Sequence, residues 1–235
     1  MNVLAFETST EACSVALHSH GEVIERFELA PRRHAELALP WAEALLAEAG
    51  LARSQLDAIA VGRGPGAFTG VRLAIGIAQG IALGLDLPVL PVSTLQTLAL
   101  RAPAGAEKVL ACIDARMGEV YAATYAREAG AWRALSAEVV IAPAEFELPD
   151  ASGDWHAVGT GLAAVDGVLA QRLRGQLVSV DAAALPHAAD VLALALPALA
   201  RGEAVAADRI EPAYLRNNVA LTLVEQRAAR AKAAG

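Results

Sequence analysis

An α/β fold with two mixed sheets, one in each half of the chain, follows from three features of the 235-residue sequence. Short apolar runs joined by tight turns open each half, and connections that short make neighbouring strands antiparallel. The spacing of apolar residues then changes from two to that of a helix, so crossover segments must cover the sheets. After residues 102–105 (Ala102, Pro103, Ala104, Gly105) the pattern restarts, which reads as a duplication carried by pattern rather than by identity.

Residues 3–7, 13–18 and 23–28 form the first three strands. Ser19-His20-Gly21-Glu22 between the last two has hairpin chemistry, with Gly21 available for positive φ. Leu37, Trp41, Leu45 and Leu46 recur at helical spacing through residues 34–49. Pro40 falls early, where proline is least disruptive, and Gly50 ends the helix. Residues 58–61 read as a buried strand, 62–66 as a loop and 69–85 as a second helix. A strand at 88–90 follows, and Ser93 or Thr94 caps a third helix running to about Arg101. In the second half, 109–114, a turn at Met117-Gly118, 120–125 and a strand around Trp132 repeat the opening. The remainder is less regular. Trp155–Val158 leads into Gly159-Thr160-Gly161, Ala188–Ala200 is a helix interrupted at Pro197, and residues 226–235 are expected to fray.

Hydrophobic residues make up 55% and aromatics 4% of the chain, so the core must be built from Ala, Leu and Val rather than rings. The formal charge is −7. A protein that grips nucleic acid alone usually carries a basic face. With no long basic run here, nucleic-acid contact is expected through a partner. Cys13 and Cys112 lie in apolar strands and make neither a disulfide framework nor a zinc set. The N-terminus lacks leader character. The apolar stretch 71–87 carries Arg72, Gln79 and Asp86, so it reads as a buried helix of a soluble, cytoplasmic protein.

Gly62-Arg63-Gly64-Pro65-Gly66-Ala67-Phe68-Thr69-Gly70 joins a strand to a helix, where amide groups and the helix dipole could hold an anion. The Walker pattern fails because Val71-Arg72 follows Gly70. A dinucleotide fingerprint fits Gly62-x-Gly64-x-x-Ala67 loosely, with Asp86 at the distance of a ribose acid, but antiparallel strands and Pro65 oppose it. The plain alternative is a tight glycine turn without a ligand. In the following helix, Gly76, Gly80 and Gly84 recur every four residues, each costing about 1 kcal/mol against Ala. Such a stripe permits close approach, either of the chain's own sheet or of another subunit's helix. Glu7, at the end of the first strand, could position metal and phosphate, or simply serve a hairpin whose Thr and Ser side chains satisfy its own backbone. No helical histidine pair is present, since the i+4 position of His34 is Ala38, and there is no Gly-x-Ser-x-Gly elbow.

Five segments in order resemble the TsaB/YeaZ family. They are Phe6-Glu7-Thr8-Ser9-Thr10-Glu11-Ala12-Cys13-Ser14-Val15-Ala16, the glycine loop continued through Val71-Arg72, Pro91-Val92-Ser93-Thr94-Leu95, Asp114-Ala115-Arg116-Met117-Gly118-Glu119-Val120-Tyr121, and Pro212-Ala213-Tyr214-Leu215-Arg216-Asn217-Asn218. The resemblance implies a two-lobed actin/Hsp70/sugar-kinase-like fold (ASKHA, ribonuclease H-like), duplicated and with mixed sheets. The lobes would be residues 1–103, carrying the partner surface, and 104–218, followed by a tail, 219–235. It implies a non-catalytic scaffold and activator for threonylcarbamoyl transfer to the adenosine beside the anticodon of tRNAs reading codons that begin with A. Partners would be a TsaD-type transferase and a TsaE-type ATPase, with a homodimer when alone, tRNA met only through the complex, and no membrane.

By the resemblance, the His-x-x-x-His of the catalytic relative falls near Thr94 and Leu98, and neither can hold a Lewis-acid metal. The resemblance places the partner surface on the two N-lobe helices, with Leu37, Trp41, Leu45, Arg72, Gly76, Gln79 and Gly80 as contacts. Thr8, Ser9, Gly64, Gly66 and Arg116 are candidate nucleotide contacts, for ATP or ADP at the joint with the partner, and Arg216 is a further polar candidate. No metal or cofactor of the chain's own is expected. Two rivals are a small-molecule kinase that needs Glu7 and a metallopeptidase, the latter opposed by the missing histidine pair.

Overall fold

A computed structural model describes residues 1–151 and 153–216. Asn217 and Asn218 of the last motif, and the tail 219–235, lie outside the described residues. The first sheet contains β1 (Val3–Glu7), β2 (Ala12–Ser19), β3 (Glu22–Leu29), β4 (Ala58–Gly62) and β5 (Val89–Val92), in the order β3-β2-β1-β4-β5. β1 is antiparallel to β2, and β2 to β3, while β4 and β5 continue the sheet in parallel. The second sheet is built from β6 (Lys108–Arg116), β7 (Glu119–Glu128), β8 (Ala131–Ala134), β9 (Val139–Ile141), β10 (Trp155–Val158) and β11 (Leu177–Asp181). Its order, β11-β10-β6-β7-β8, and its strand senses repeat those of the first, with β9 added alongside β7. The duplication is thus one of topology. The sequence did not reveal β9 or β11: the one is three residues long, and the other is an edge strand open to solvent, so neither has a clear period.

Both faces of the first sheet are covered, so alternate residues of β1 enter different cores. Leu4 and Phe6 meet α1 (His34–Glu48) and α2 (Phe68–Leu85), whereas Val3 and Ala5 lie opposite, against Val191, Leu192 and Ala195. Full burial of a side chain such as Phe6 or Leu4 contributes about 1.5–3 kcal/mol. Ala5, Ala16, Ala58 and Ala60 are all small, which lets the covering helix sit close. In the hairpin after β2, His20 and Gly21 both take positive φ, the conformation that matches strand twist.

The helices are exchanged between the sheets. α3 (Thr94–Ala99) follows β5 but buries Leu95, Leu98 and Ala99 against β6 and β7. α4 (Ala164–Arg172) stays with its own sheet. α5 (Ala188–Ala200) follows β11 but covers the first sheet, and Val205 then pairs with Val89. A division at residue 103 therefore separates the sheets but not the helices: residues 188–210, assigned from sequence to the second lobe, pack on the first. The cause is that each sheet has an apolar face its own half leaves bare. α5 also runs unbroken through Pro197, contrary to the expected interruption. Pro197 and Ala193 lie on its exposed side, where the carbonyl deprived of its helical donor can meet water.

Side chains of the first sheet fix the start of α5. The amide of Ala188 donates to Ser14 Oγ (2.8 Å), and that of Ala189 to Glu25 Oε1 (3.0 Å). Ser14 Oγ donates to the same carboxylate at 2.7 Å, and His187 Nδ1 lies 3.0 Å from Glu25 Oε2 with its ring stacked on Phe27. Burial alone would raise the Glu25 carboxyl, but the hydrogen bonds from His187, Ser14 and Ala189 together outweigh it and hold the group below the usual carboxylate range. A carboxyl lowered in the folded state stabilises above its unfolded value near 4.5, and that contribution disappears as pH falls through the lower folded value. Replacing Glu25 with Gln should therefore cost about 1.5–3 kcal/mol at pH 7. The difference from wild type, measured by urea denaturation, should shrink on acidification below pH 4.5.

Candidate functional site: the exposed helix pair and the interlobe cleft

α2 is long and apolar enough to cross a membrane by length and composition alone, yet only one side of it is buried. Ala74, Ile75, Ala78 and Ala82 face the sheet. Gly76, Gly80 and Gly84 face outward, and a Cβ built on any of them meets nothing within 4 Å. The helix expected to be buried is thus buried on one side. Its glycine stripe does not serve the chain's own sheet. Beside it runs a groove of about 330 Å³ between α1 and α2, lined by Leu39, Ala42, Leu46, Gly80, Ile81 and Gly84 among others.

The proposed contact residues divide. Gly76 and Gly80 lie on the open face, and Leu37 and Trp41 are half-buried against the core. Leu45 is only 1% exposed and supports the helix from within, so it cannot be a contact. Gln79 turns inward and donates to the Ala207 carbonyl at 2.9 Å. Arg72 begins the outward stripe, but its guanidinium lies 3.6 Å above the Phe68 ring and bonds the Tyr214 hydroxyl at the mouth of the cleft. Sequence reasoning missed Leu39 and Leu83, the latter 68% exposed on α2. Periodicity marks both as apolar without saying that they point away from the sheet.

The glycine loop is a packing device. A Cβ on Gly62 would lie 2.0 Å from Glu7 Oε2, one on Gly66 would lie 2.3 Å from the Ser9 carbonyl oxygen, and one on Gly70 would lie 2.0 Å from that of Thr8. The loop is tied to the β1–β2 turn in both directions. Thr8 Oγ1 donates to the Gly70 carbonyl (2.7 Å), and the Ala67 amide donates to that of Ser9 (2.7 Å). Thr94 closes the cluster. Its amide donates to the Gly64 carbonyl, and its hydroxyl lies 3.1 Å from both Glu7 Oε2 and Ser9 Oγ. Glu7 also accepts from the Ser9 amide at 2.7 Å. Burial raises its carboxyl, although the Ser9, Thr94 and Thr8 hydrogen bonds oppose that shift. Among the candidate nucleotide positions, Thr8, Ser9 and Gly64 are therefore buried and engaged within the protein. Ser9, Gly66 and Arg116 border the cleft, and Arg116 is paired with Asp114 at 2.7 Å. Leu98 is buried against the second sheet.

That cleft, of about 860 Å³, opens between the lobes and is lined from both. The segment 212–216 crosses it. The Ala213 amide donates to the Arg63 carbonyl, Tyr214 meets Arg72, and Arg216 reaches Glu119 and the Arg116 carbonyl on the other lobe. Arg63 adds a second interlobe tie, to Glu138 at 3.3 Å. Cys13 and Cys112 are buried thiols. Burial pushes Cys13 up to about 12, with Glu28 adding to the shift, and raises Cys112 similarly, with Asp114 adding there. Among the described residues no three His, Cys, Asp or Glu side chains come together as a metal set.

Two sheets of identical topology closing on an interlobe cleft define a duplicated actin-like α/β protein. Residues 25–223 match the family described as "TsaD: tRNA N6-adenosine threonylcarbamoyltransferase". The chain is 47% identical over 225 residues to the "tRNA threonylcarbamoyladenosine biosynthesis protein TsaB" of Escherichia coli (strain K12), covering 94% of this chain and 96% of that protein. It is 43% identical to the Haemophilus influenzae protein of the same name, covering 93% and 95%. The solved structure of YeaZ from Pseudomonas aeruginosa superposes with a TM-score of 0.83 at 48% identity, covering 91% of this chain and 99% of that one. The chain belongs to the TsaB (YeaZ) family of tRNA threonylcarbamoyladenosine biosynthesis proteins.

Proposed function

We propose that this chain is a non-catalytic partner and activator of a TsaD-type transferase, working in the cytoplasm on threonylcarbamoyl transfer to the adenosine beside the anticodon of tRNAs that read codons beginning with A. The observation that carries the reading is the open face of α2. Three glycines at one helical spacing, each costing about 1 kcal/mol against Ala, lie on that face, and Gly80 and Gly84 line a groove that none of the described residues fills. A helix pair from a second subunit would bury that groove, with Leu39 and Leu83 supplying apolar area. The partner is the TsaD-type subunit in the working complex and a second copy of this chain when it is alone. A TsaE-type ATPase joins the pair.

Residue chemistry supports the non-catalytic role. Thr94 and Leu98, near which the resemblance puts the transferase's histidine pair, are buried, the first bonded to Glu7 and the second packed in the core. ATP or ADP belongs, on this reading, at the joint with the partner, because the Thr8 and Ser9 hydroxyls are engaged internally.

A transfer assay with threonylcarbamoyl-AMP and tRNA tests the proposal. The assay is run with this chain alone, with the TsaD-type and TsaE-type partners alone, and with all three. Activity is expected only in the full mixture. Turnover by this chain alone would sink the activator reading.

A further inference from the structure

We propose that the mouth of the interlobe cleft is an RNA-contact surface, in which Arg32 and Arg72 hold phosphates and the rings of Phe68 and Tyr214 offer a platform for an unstacked base. The inference rests on the chain working within a tRNA-modifying complex and adds a direct contact to it. The chain carries a net charge of −7, yet the cleft lining carries four arginines; Arg116 pairs with Asp114 and Arg216 with Glu119 just outside the lining, so the unneutralised positive charge lies at Arg32 and Arg72, against Glu11. Arg32 and Arg72 have no carboxylate partner among the described residues, and both are exposed. The local field therefore opposes that of the rest of the surface and favours an anion.

The rings specify which kind of anion. Phe68 and Tyr214 are 55% and 48% exposed, 6.0 Å apart and inclined by only 29°, with the Arg72 guanidinium 3.6 Å over the Phe68 ring and 5.3 Å from the Tyr214 ring. Apolar area alone does not account for leaving two near-parallel rings, and a guanidinium with no carboxylate partner among the described residues, open to water. Stacked aromatic and guanidinium planes beside a basic groove are how single-stranded RNA is held, since every base offers a π face. Two further features suit an extended strand. The cleft is lined from both lobes with Tyr214 exposed at it, and Arg116 and Arg216 lie on the side of the second lobe, away from Arg72.

The test is fluorescence anisotropy of an anticodon stem-loop RNA over a salt series, with the full chain alone and with its TsaD-type partner. Arg32→Ala and Arg72→Ala should each weaken binding and reduce the salt slope by about 0.7–0.9. Phe68→Ala should weaken binding about tenfold with no change in slope, a split that general loosening of the fold would not produce. The charge reversal Arg32→Glu/Arg72→Glu should abolish binding. A charge-reversed protein that melts like wild type and keeps wild-type affinity and slope overturns the inference, as does wild-type protein that binds no RNA in either form. Displacement of the RNA by ADP at equal affinity would make the cleft a free-nucleotide pocket and also overturn it. Complex formation is read separately by gel filtration. Variants that still assemble but bind RNA like wild type defeat only this inference, whereas wild-type chains that fail to assemble defeat the functional reading.

Discussion

Gly80→Leu should cut affinity for the partner subunit by at least about a hundredfold while leaving the chain as stable as wild type or more so. The space around Gly80 is open, so the new side chain meets no atom of its own protein. Leu is also the better helix former, by roughly 0.5–1 kcal/mol, which should appear as a higher melting temperature. The loss would come from the other side: a face shaped for close backbone approach would receive a branched side chain beside the groove that Gly80 lines. Titration calorimetry against the TsaD-type subunit and a thermal melt of the isolated variant check both halves. Unchanged affinity in a folded variant would remove α2 as the contact.

Gly70→Ala, one methyl group on the same helix, should do the opposite and cost about 3 kcal/mol or more. Its Cβ would stand 2.0 Å from the Thr8 carbonyl oxygen. That oxygen belongs to backbone, in a buried turn that is itself bonded to the Gly70 carbonyl through Thr8 Oγ1. Neither side can give way without breaking the contact between loop and turn. Domains are commonly stable by about 5–15 kcal/mol, so the loss should be plain in urea denaturation. Gly80→Ala is the matched control and should gain about 0.5–1 kcal/mol. Equal responses at the two positions would mean that packing around the glycine loop is looser than these distances require.

The two glycines show how far the sequence could be read. The spacing and cost of Gly80 are legible in the sequence, and so are the competing explanations for the two positions, a ligand loop ending at Gly70 and a subunit interface at Gly80. Which glycine faced inward was not visible, because a glycine carries no side chain to report polarity. Leu45 illustrates the converse. Its place in the helical period marked it as apolar and important, and the fold puts it in the core, with Leu39 and Leu83 outside. Periodicity says that a residue meets something apolar, not whether that is its own sheet or another chain.

The sequence by itself determined the α/β character, the hairpin-led strands of each half, the span of the main helices and the family motifs, because each is a local pattern of spacing, turn chemistry and residue type. Only the tertiary structure decided that α3 and α5 cross to each other's sheets, that Glu25 caps a helix through the amide of Ala189, 164 residues beyond it, and that arginines from four separate segments gather at one cleft. Those contacts join residues far apart in the chain, and their partners are chosen by which apolar faces remain uncovered and which charges end up adjacent after packing. No local window of sequence contains that choice.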